Sequence, residues 1–432
     1  MALVGAGTTH PMQAGAVLFL DAADDFDLSG ALEIFGARVA QVPRLHQLLI
    51  DLPIGCGRPI WVEDAHFVLG DQMSTILCPT PANDEAVLAI AARVVNTPLP
   101  RSRPLWSATL VTAASSGAKA RPLALVVVFH HVMADGIGGL AVLADLADGG
   151  ALPREQPRVT SRDSVQSRTI LARGAWSERL ASIRRMRGTV RRSFDGLAVI
   201  RSAARIRSVH SSLNVPTGGG RLLETVSLDL VDLRKSSHAA GATVNDAVLA
   251  AIAGSLRRLM EGRGESLDEV VISVPFSSRR ATVGSELGNR SGVIPLKIPA
   301  GGDRTDRLAA VAALTRAAKR APRAASTAVL GPMFRGLARI GAYRWFINRQ
   351  RMINTIVSSV HAPETAISML GCTVTRIAPL GIPTGNLPVT FVALTYVGVL
   401  TITIVSDPDV CPDVRRLRAI LIDELCAFAS PR

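Results

Sequence analysis

The stretch LALVVVFHHVMADGIGGLAVLADL, residues 123–146, decides the fold. Its apolar run up to Phe129 is rich in β-branched valine and predicts a strand that is buried on both faces. The strand delivers His130 and His131 at its carboxyl end, and the apolar spacing that continues to Leu146 predicts a helix behind them. Enzymes with mixed α/β folds often place their chemistry at such a strand end.

The two histidines are expected to have different tasks. Neighbouring side chains on extended backbone point to opposite faces, so one ring can face an open cleft while the other packs. A neutral imidazole is suited to taking a proton from a hydroxyl or thiol during acyl transfer. Asp135 lies too close along the chain to be assumed to orient the imidazole, and is expected to brace the turn through an arginine elsewhere. Gly136 lets backbone approach where a side chain would clash.

His-His-Val-Met-Ala-Asp-Gly matches HHxxxDG, the signature of the CoA-dependent acyltransferase superfamily, which includes chloramphenicol acetyltransferase and peptide-synthetase condensation domains. Further stretches resemble, in order, the motifs of the bacterial wax ester synthase/diacylglycerol acyltransferase family. They are His10-Pro11-Met12, Arg58-Pro59-Ile60-Trp61, Pro98 to Trp106, Thr243 to Ala250, Val274 to Arg279 and Gly288-Asn289-Arg290. The chain departs from the family at its short segment before Pro11 and at Ser358 to Pro363, where the family has an SNVPGP-like stretch.

The resemblance implies an α/β fold of two chloramphenicol-acetyltransferase-like halves, a V-shaped pseudo-dimer with the active site between them. It implies acyl-CoA-dependent formation of triacylglycerol from diacylglycerol, by direct attack of the acceptor hydroxyl on the thioester. The implied site residues are His131 as the base, Asn245 as a second catalytic group, Trp106 and Asp246 at the substrate, and His130, Asp135, Gly136 and Arg279 as structural residues, with Asp135 paired to Arg279. Acyl-CoA is a co-substrate, and no metal or bound cofactor is expected.

Three other functions stay open. One is a wax ester synthase that acylates long-chain alcohols, and another is a catalytically silent lipid- or acyl-CoA-binding relative. The third is a condensation-type enzyme acting on carrier-protein thioesters, which is disfavoured because the chain contains no carrier domain. The absence of a GxSxG motif disfavours a serine esterase.

Composition favours a lipid surface as a partner. The 432 residues carry a net charge of +13 with a mean hydropathy of +0.29, a basic and apolar combination that suits an anionic membrane, a lipid droplet or CoA. Aromatic residues make up only 4% of the chain, and no motif that reads DNA or RNA is visible. Both observations argue against a nucleic acid as the partner. Five scattered cysteines and no visible secretory signal predict a cytoplasmic protein that is peripheral to the inner membrane or lipid inclusions.

The charge divides the chain into three parts: an N-terminal half over residues 1–150, a basic helical crossover over 151–220, and a C-terminal half over 221–432. Residues 151–210 contain fourteen arginines against four acidic residues, a local excess of +10. Between Ile183 and Ile200 apolar residues recur at helical spacing, which is typical of a helix lying on anionic lipid. A solvated linker helix packed on the protein explains the same pattern.

Residues 387–405 contain no charged side chain and imitate a membrane span. Their β-branched residues, recurring threonines and the interruption at Gly398 favour two strands of a hairpin instead.

Overall fold

The computed structural model describes residues 11–23, 26–52, 59–114, 121–133, 136–149, 208, 211–277, 291–320, 337 and 340–429. The strands in chain order are β1 (Gln13–Asp21), β2 (Gln47–Ile50), β3 (Ile60–Glu63), β4 (Met73–Leu77), β5 (Trp106–Ala113), β6 (Arg121–His130), β7 (Leu222–Asp229), β8 (Glu269–Ser277), β9 (Ser291–Pro299), β10 (Thr355–His361), β11 (Ser368–Met369), β12 (Cys372–Leu380), β13 (Val389–Tyr396) and β14 (Val399–Ser406). The described helices are α1 (Leu28–Ala40), α2 (Asp84–Asn96), α3 (Gly136–Leu146), α4 (Leu230–Ala239), α5 (Val244–Glu261), α6 (Arg304–Arg320), α7 (Tyr343–Ile347) and α8 (Val414–Ala429).

Two six-stranded sheets organise the chain. The first has the order β11-β12-β1-β6-β5-β4, and the second has the order β7-β14-β13-β10-β8-β9. β2 and β3 form a separate two-stranded sheet. β6 lies inside the first sheet between β1 and β5, and residues 124–129 of this strand are buried, as its continuous apolar run predicts.

The two sheets repeat one pairing pattern. From β1 through β6 and β5 to β4 the neighbours are antiparallel, antiparallel and then parallel. From β7 through β14 and β13 to β10 the same three relations recur. A helix follows β6 in one sheet and β14 in the other, namely α3 and α8. The structure therefore confirms two similarly built halves, although the sequence shows no repeat.

The sequence division at residue 221 does not separate the sheets. β12 belongs to the C-terminal part of the chain but pairs with β1 along residues 373–380, so the first sheet is completed by strands from the second half. Just after β12 the backbone runs against the second sheet, where a Cβ added to Gly381 would meet Val392 Cγ2 at 2.7 Å. The two halves are thus joined by a shared strand, which a division by charge could not reveal.

The uncharged stretch is a β-hairpin, as predicted. β13 and β14 pair in register from Val389 opposite Ser406 to Tyr396 opposite Val399. The two turn residues, Val397 and Gly398, have φ values of 47° and 75°, the left-handed backbone that a two-residue hairpin turn requires. One face of the hairpin packs under α5, α6 and α8, and Leu394 and Tyr396 on the other face join the core of the first half.

Candidate active site

His130 and His131 stand where β6 ends, and their backbones bond to opposite neighbours. The amide of His130 donates to Leu105 O at 2.9 Å, on the β5 side. The amide of His131 donates to Met12 O at 2.7 Å, on the β1 side. A turn then begins, closed by the amide of Met133 on His130 O at 2.8 Å. The end of β6, where the predicted base His131 lies, is thus held between the segments that precede β1 and β5.

The ring of His130 is engaged by its own turn. Its Nδ1 accepts a hydrogen bond from the amide of Val132 at 3.2 Å, which requires that nitrogen to be unprotonated. Burial, together with the charges of His131 and Arg101, lowers the pKa of His130 to about 4. This imidazole therefore stays neutral at physiological pH and closes the turn that presents its neighbour.

A buried arginine clamps the segment that holds His131. Arg221, 4% exposed, donates from Nη2 to Pro11 O at 2.7 Å and from Nη1 to Gln13 O at 3.1 Å, on either side of Met12. Nη1 also lies 3.4 Å from Gly381 O, at the end of β12. Among the described residues Arg221 has no carboxylate partner, and burial lowers its pKa to about 10. The guanidinium thus ties the start of the second half to the backbone beside His131.

Gln13 extends this clamp into the motif between Pro98 and Trp106. Its side chain is 1% exposed and donates from Nε2 to Val95 O and Thr97 O, at 3.0 and 2.9 Å. Its Oε1 accepts from the amide of Leu99 at 2.9 Å. The end of α2, the loop that leads to β5 and the start of β1 are therefore fixed to one another.

Asn245 and Asp246 lie in the first turn of α5 but differ in their contacts. The side-chain oxygen of Asn245 is buried and accepts no hydrogen bond from a described residue. Asp246 is 2% exposed, and its Oδ2 accepts from the amide and the hydroxyl of Thr243, each at 2.8 Å. Its Oδ1 accepts from the Thr315 hydroxyl at 2.7 Å. In the structure both oxygens cap α5 and join it to α6, and the predicted role of Asp246 at the substrate stays a prediction.

Trp106 is a core residue, and its predicted role at the substrate stays a prediction. It is 0% exposed at the start of β5, within the core that covers one face of the first sheet. Its indole nitrogen donates to Leu45 O at 2.6 Å, which satisfies the only polar atom of the side chain.

The structure places His131 directly after the last residue of β6 in the first sheet, and Asn245 on α5, which packs on the second sheet. Gly136 is the first residue of α3, directly behind the histidine turn. Asp135 and Arg279 lie outside the described residues, so their predicted ion pair stays a prediction. The crossover helix predicted from Ile183 lies outside them as well.

The described residues contain neither a metal-binding cluster nor a single membrane-spanning helix. Within the described part of the chain, no group of three or more His, Cys, Asp or Glu side chains is placed to hold a metal ion. In the same ranges no single helix has the length and apolarity of a membrane span. α4 and α5 reach that criterion only as a pair, across a 95° bend.

Comparison with known families identifies the chain. The model of the wax ester synthase/diacylglycerol acyltransferase catalytic domain matches residues 3–248, and that of the family's C-terminal domain matches residues 287–427. The chain belongs to this family. It is therefore an acyltransferase, and both HHxxxDG and the Asn245-Asp246 pair fall within the catalytic-domain match.

Curated relatives and solved structures agree with this family and fold. A probable diacylglycerol O-acyltransferase, tgs1, of Mycobacterium tuberculosis is 27% identical over 417 residues, 94% of this chain and 88% of the relative. The wax ester synthase/diacylglycerol acyltransferase of Marinobacter aquaeolei VT8 superposes with a TM-score of 0.68 at 19% identity, covering 98% of this chain and 95% of that chain. A starter condensation domain of rhizomide synthetase in complex with C8-CoA superposes with a TM-score of 0.62 at 15% identity, covering 100% and 94%.

No sequence motif marks Arg221 or Gln13 as important for the site. Each left a weak signal, since Arg221 is a lone cation between a glycine-rich loop and an apolar strand, and Gln13 opens an otherwise apolar strand. Their partners are backbone carbonyls more than eighty residues away, and no motif records such partners.

Replacing Arg221 by methionine should reduce both stability and turnover. The change keeps the apolar stem but removes the guanidinium donors from the carbonyls of Pro11 and Gln13, and a buried carbonyl that loses its donor costs about 1–3 kcal/mol. The amide of His131 donates to Met12 O, and Met12 lies between the two residues that Arg221 holds. Loss of this clamp should therefore lower kcat more than it raises the Michaelis constant for acyl-CoA. Urea unfolding and steady-state kinetics measure the two effects, with partial rescue expected in Arg221→Lys.

Arg121→Met is the matched control for this test. Arg121 is 57% exposed and pairs with Asp21 at 3.2 Å on the surface, so its loss should change stability by less than about 1 kcal/mol. Equal kcat in Arg221→Met and the wild type would contradict the positioning role.

Proposed function

We propose that this protein catalyses acyl-CoA-dependent O-acylation of a lipid alcohol, with diacylglycerol as the acceptor and triacylglycerol as the product. The observation that carries the proposal is the placement of His131 at the end of β6, held by Met12 within the segment that Arg221 clamps. The names of the curated relatives support diacylglycerol as the acceptor.

The proposed chemistry needs one base and no covalent enzyme intermediate. The His131 imidazole takes the proton of the acceptor hydroxyl, whose oxygen attacks the thioester carbonyl carbon of acyl-CoA. The new ester C–O bond forms, the C–S bond breaks, and the departing CoA thiolate takes the proton back from the imidazolium. The imidazole ends the cycle neutral, and acyl-CoA is consumed as a co-substrate.

Asn245 is proposed to position the reacting groups. A buried amide oxygen without a donor costs free energy, and a substrate hydroxyl would remove that cost. The amide nitrogen on the same side chain can donate to a carbonyl oxygen that gains negative charge in the transition state. The fixed capping of α5 by Asp246 holds this side chain at the start of a rigid helix.

We further propose that the protein is cytoplasmic and works at a lipid surface, at the inner membrane or at lipid inclusions. A water-insoluble acceptor requires access to such a surface, and the net charge of +13 suits an anionic one. The arginine-rich crossover over residues 151–220 is one candidate contact.

Product analysis tests the acceptor. Labelled acyl-CoA is incubated with the full chain and with diacylglycerol, monoacylglycerol or a long-chain alcohol in parallel. We expect labelled triacylglycerol and release of free CoA in the diacylglycerol reaction. Labelled wax ester with no triacylglycerol would replace the proposed acceptor, and no CoA release with any acceptor would contradict the proposed activity.

Asn245→Ala should lower kcat by at least about 10-fold, an effect equal to about 1.4 kcal/mol of lost transition-state stabilisation. The fold should persist, because Thr243 and Asp246 still cap the helix. Asn83→Ala is the control: this asparagine caps α2 through a 3.0 Å bond from the amide of Ala86, and its loss should cost about 1 kcal/mol of stability without lowering kcat. Wild-type kcat in Asn245→Ala would remove Asn245 from the mechanism.

A further inference from the structure

An exposed aromatic and aliphatic pair lies among arginines at the segment around α7. Ile340 is 76% exposed and Trp345 is 61% exposed. Three exposed arginines belong to the same segment: Arg344, Arg349 and Arg351. These five residues are called the Trp345 surface. The Arg349 guanidinium lies 5.7 Å from the centroid of the Trp345 ring, a distance at which the ring still presents most of its area to solvent.

The segment that carries these residues is anchored to the protein. The amide of Asn386 donates to Ile347 O at 3.2 Å. Gln350 is 6% exposed, and its Nε2 donates to Asn386 Oδ1 at 2.7 Å. Its Oε1 accepts from the amides of Met352 and Ile353, at 2.8 and 3.1 Å. Trp345 is therefore presented outward by a fixed support.

The stretch of sequence around the Trp345 surface contains no acidic residue. No Asp or Glu occurs between Asp306 and Glu364. The three arginines of the surface make no ion pair with a described residue, unlike the surface pair Arg101–Asp51 at 2.6 Å. The exposed Val231 differs in this respect, since Asp229 and Asp232 flank it. Apolar exposure and unpaired positive charge thus coincide at one place.

The basic crossover returns to the described structure beside this surface. The amide of Ser208 donates to Arg351 O at 3.0 Å. The fourteen arginines of residues 151–210 therefore precede the point at which the chain contacts the Trp345 surface. In sequence, residues 151–210 and the segment around α7 together hold most of the chain's excess positive charge.

We propose that the Trp345 surface docks the enzyme on the surface of an anionic phospholipid bilayer. Tryptophan suits the boundary between headgroups and acyl chains because its ring is largely apolar and its N–H is polar. Arginines beside it bind lipid phosphates bidentately and add electrostatic attraction to anionic lipid. This inference rests on the proposed lipid acceptor for its choice of partner, and it names the part of the protein that meets the lipid.

Vesicle sedimentation with the full chain, without acyl-CoA or acceptor, tests the docking surface. One set of vesicles is phosphatidylcholine alone, and the other contains phosphatidylglycerol as well. The double variant Ile340→Ser, Trp345→Ser should bind the anionic vesicles at least tenfold more weakly than the wild type. The triple variant Arg344→Gln, Arg349→Gln, Arg351→Gln should lose much of the dependence on phosphatidylglycerol and on salt. Val231→Ser is the control and should bind as the wild type does.

A spectroscopic measurement reports insertion of the ring itself. Brominated phospholipids quench tryptophan that enters the bilayer, and the quenched fraction present in the wild type should be absent in Trp345→Phe. Equal vesicle binding by wild type and the double variant, or quenching that does not depend on Trp345, would overturn the inference. A change in oligomeric state in the double variant without any change in vesicle binding would assign the surface to a second copy of the chain and would also overturn it. Turnover of detergent-dispersed acceptor by the wild type decides the proposed function separately, because that assay contains no vesicle.

Discussion

Replacing His131 by alanine should lower the rate of acyl transfer by about 10²–10⁴-fold, the range that a general base contributes. The amide of residue 131 would still donate to Met12 O, and the neighbouring turn would still close, because both bonds use the backbone. The fold and the binding of acyl-CoA should therefore persist. Single-turnover kinetics with acyl-CoA and diacylglycerol measure the loss, and equilibrium binding of a non-transferable acyl-CoA analogue checks that the site is intact.

Two histidine controls separate the base from its surroundings. His130→Ala removes the acceptor of the Val132 amide and opens a buried space, so stability should fall together with the rate. His66 is exposed, and its replacement by alanine should change neither quantity. A His131→Ala variant with wild-type turnover would contradict the proposed mechanism.

Direct attack on the thioester has a second consequence. Without acceptor there should be no burst of free CoA, because the enzyme carries no acyl group between two half-reactions. Mass spectrometry of the protein after incubation with acyl-CoA should show the unmodified mass. A trapped acyl-enzyme would show that a nucleophile of the protein takes up the acyl group. It would contradict direct transfer with His131 as a simple base.

Local patterns along the chain predicted the individual elements well. The valine-rich run before His130 became the strand at the centre of the first sheet, and the apolar spacing up to Leu146 became α3. The uncharged stretch from residue 387 formed a hairpin because β-branched residues and a turn glycine are local signals. Each of these features depends on contacts between residues close in sequence or on hydrophobic periodicity.

Features set by distant contacts could not be read in this way. β12 leaves its own half to pair with β1, and the pairing joins residues more than 350 positions apart. Arg221 reaches Pro11 across 210 positions, and Asp246 receives its third hydrogen bond from Thr315 on another helix. Trp106 and Asp246, which the resemblance places at the substrate, also bond to distant residues, Leu45 and Thr315. A motif position marks a residue that matters without telling whether it contacts substrate or holds the residues that do.

Glu424→Gln should cost about 3–5 kcal/mol of unfolding free energy, because it removes the carboxylate from a buried cluster of cations. Glu424 on α8 is 3% exposed and pairs with Arg307 of α6, which is 5% exposed. Its other oxygen lies 3.1 Å from Arg304 Nη2 and 3.5 Å from Arg258 Nη1. Without the charge, buried Arg307 would lose its salt bridge, and Asp303 would act on it only through longer-range attraction.

Space for this cluster is provided by a glycine of α5. A Cβ added to Gly254 would meet Arg307 Nη2 at 2.5 Å and Glu424 Oε2 at 2.8 Å. Gly254→Ala should therefore destabilise the protein as well, although alanine favours helices over glycine by about 1 kcal/mol. A destabilised alanine variant would show that the ion pair outweighs helix propensity at this position.

Asp423→Asn is the matched control for Glu424→Gln, since it removes the adjacent carboxylate from the same helix. Asp423 is 62% exposed and lies 3.5 Å from Arg258, so its loss should cost less than about 1 kcal/mol. Urea unfolding of the wild type and the variants measures the difference. Equal midpoints for Glu424→Gln and Asp423→Asn would show that the buried cluster does not stabilise the second half.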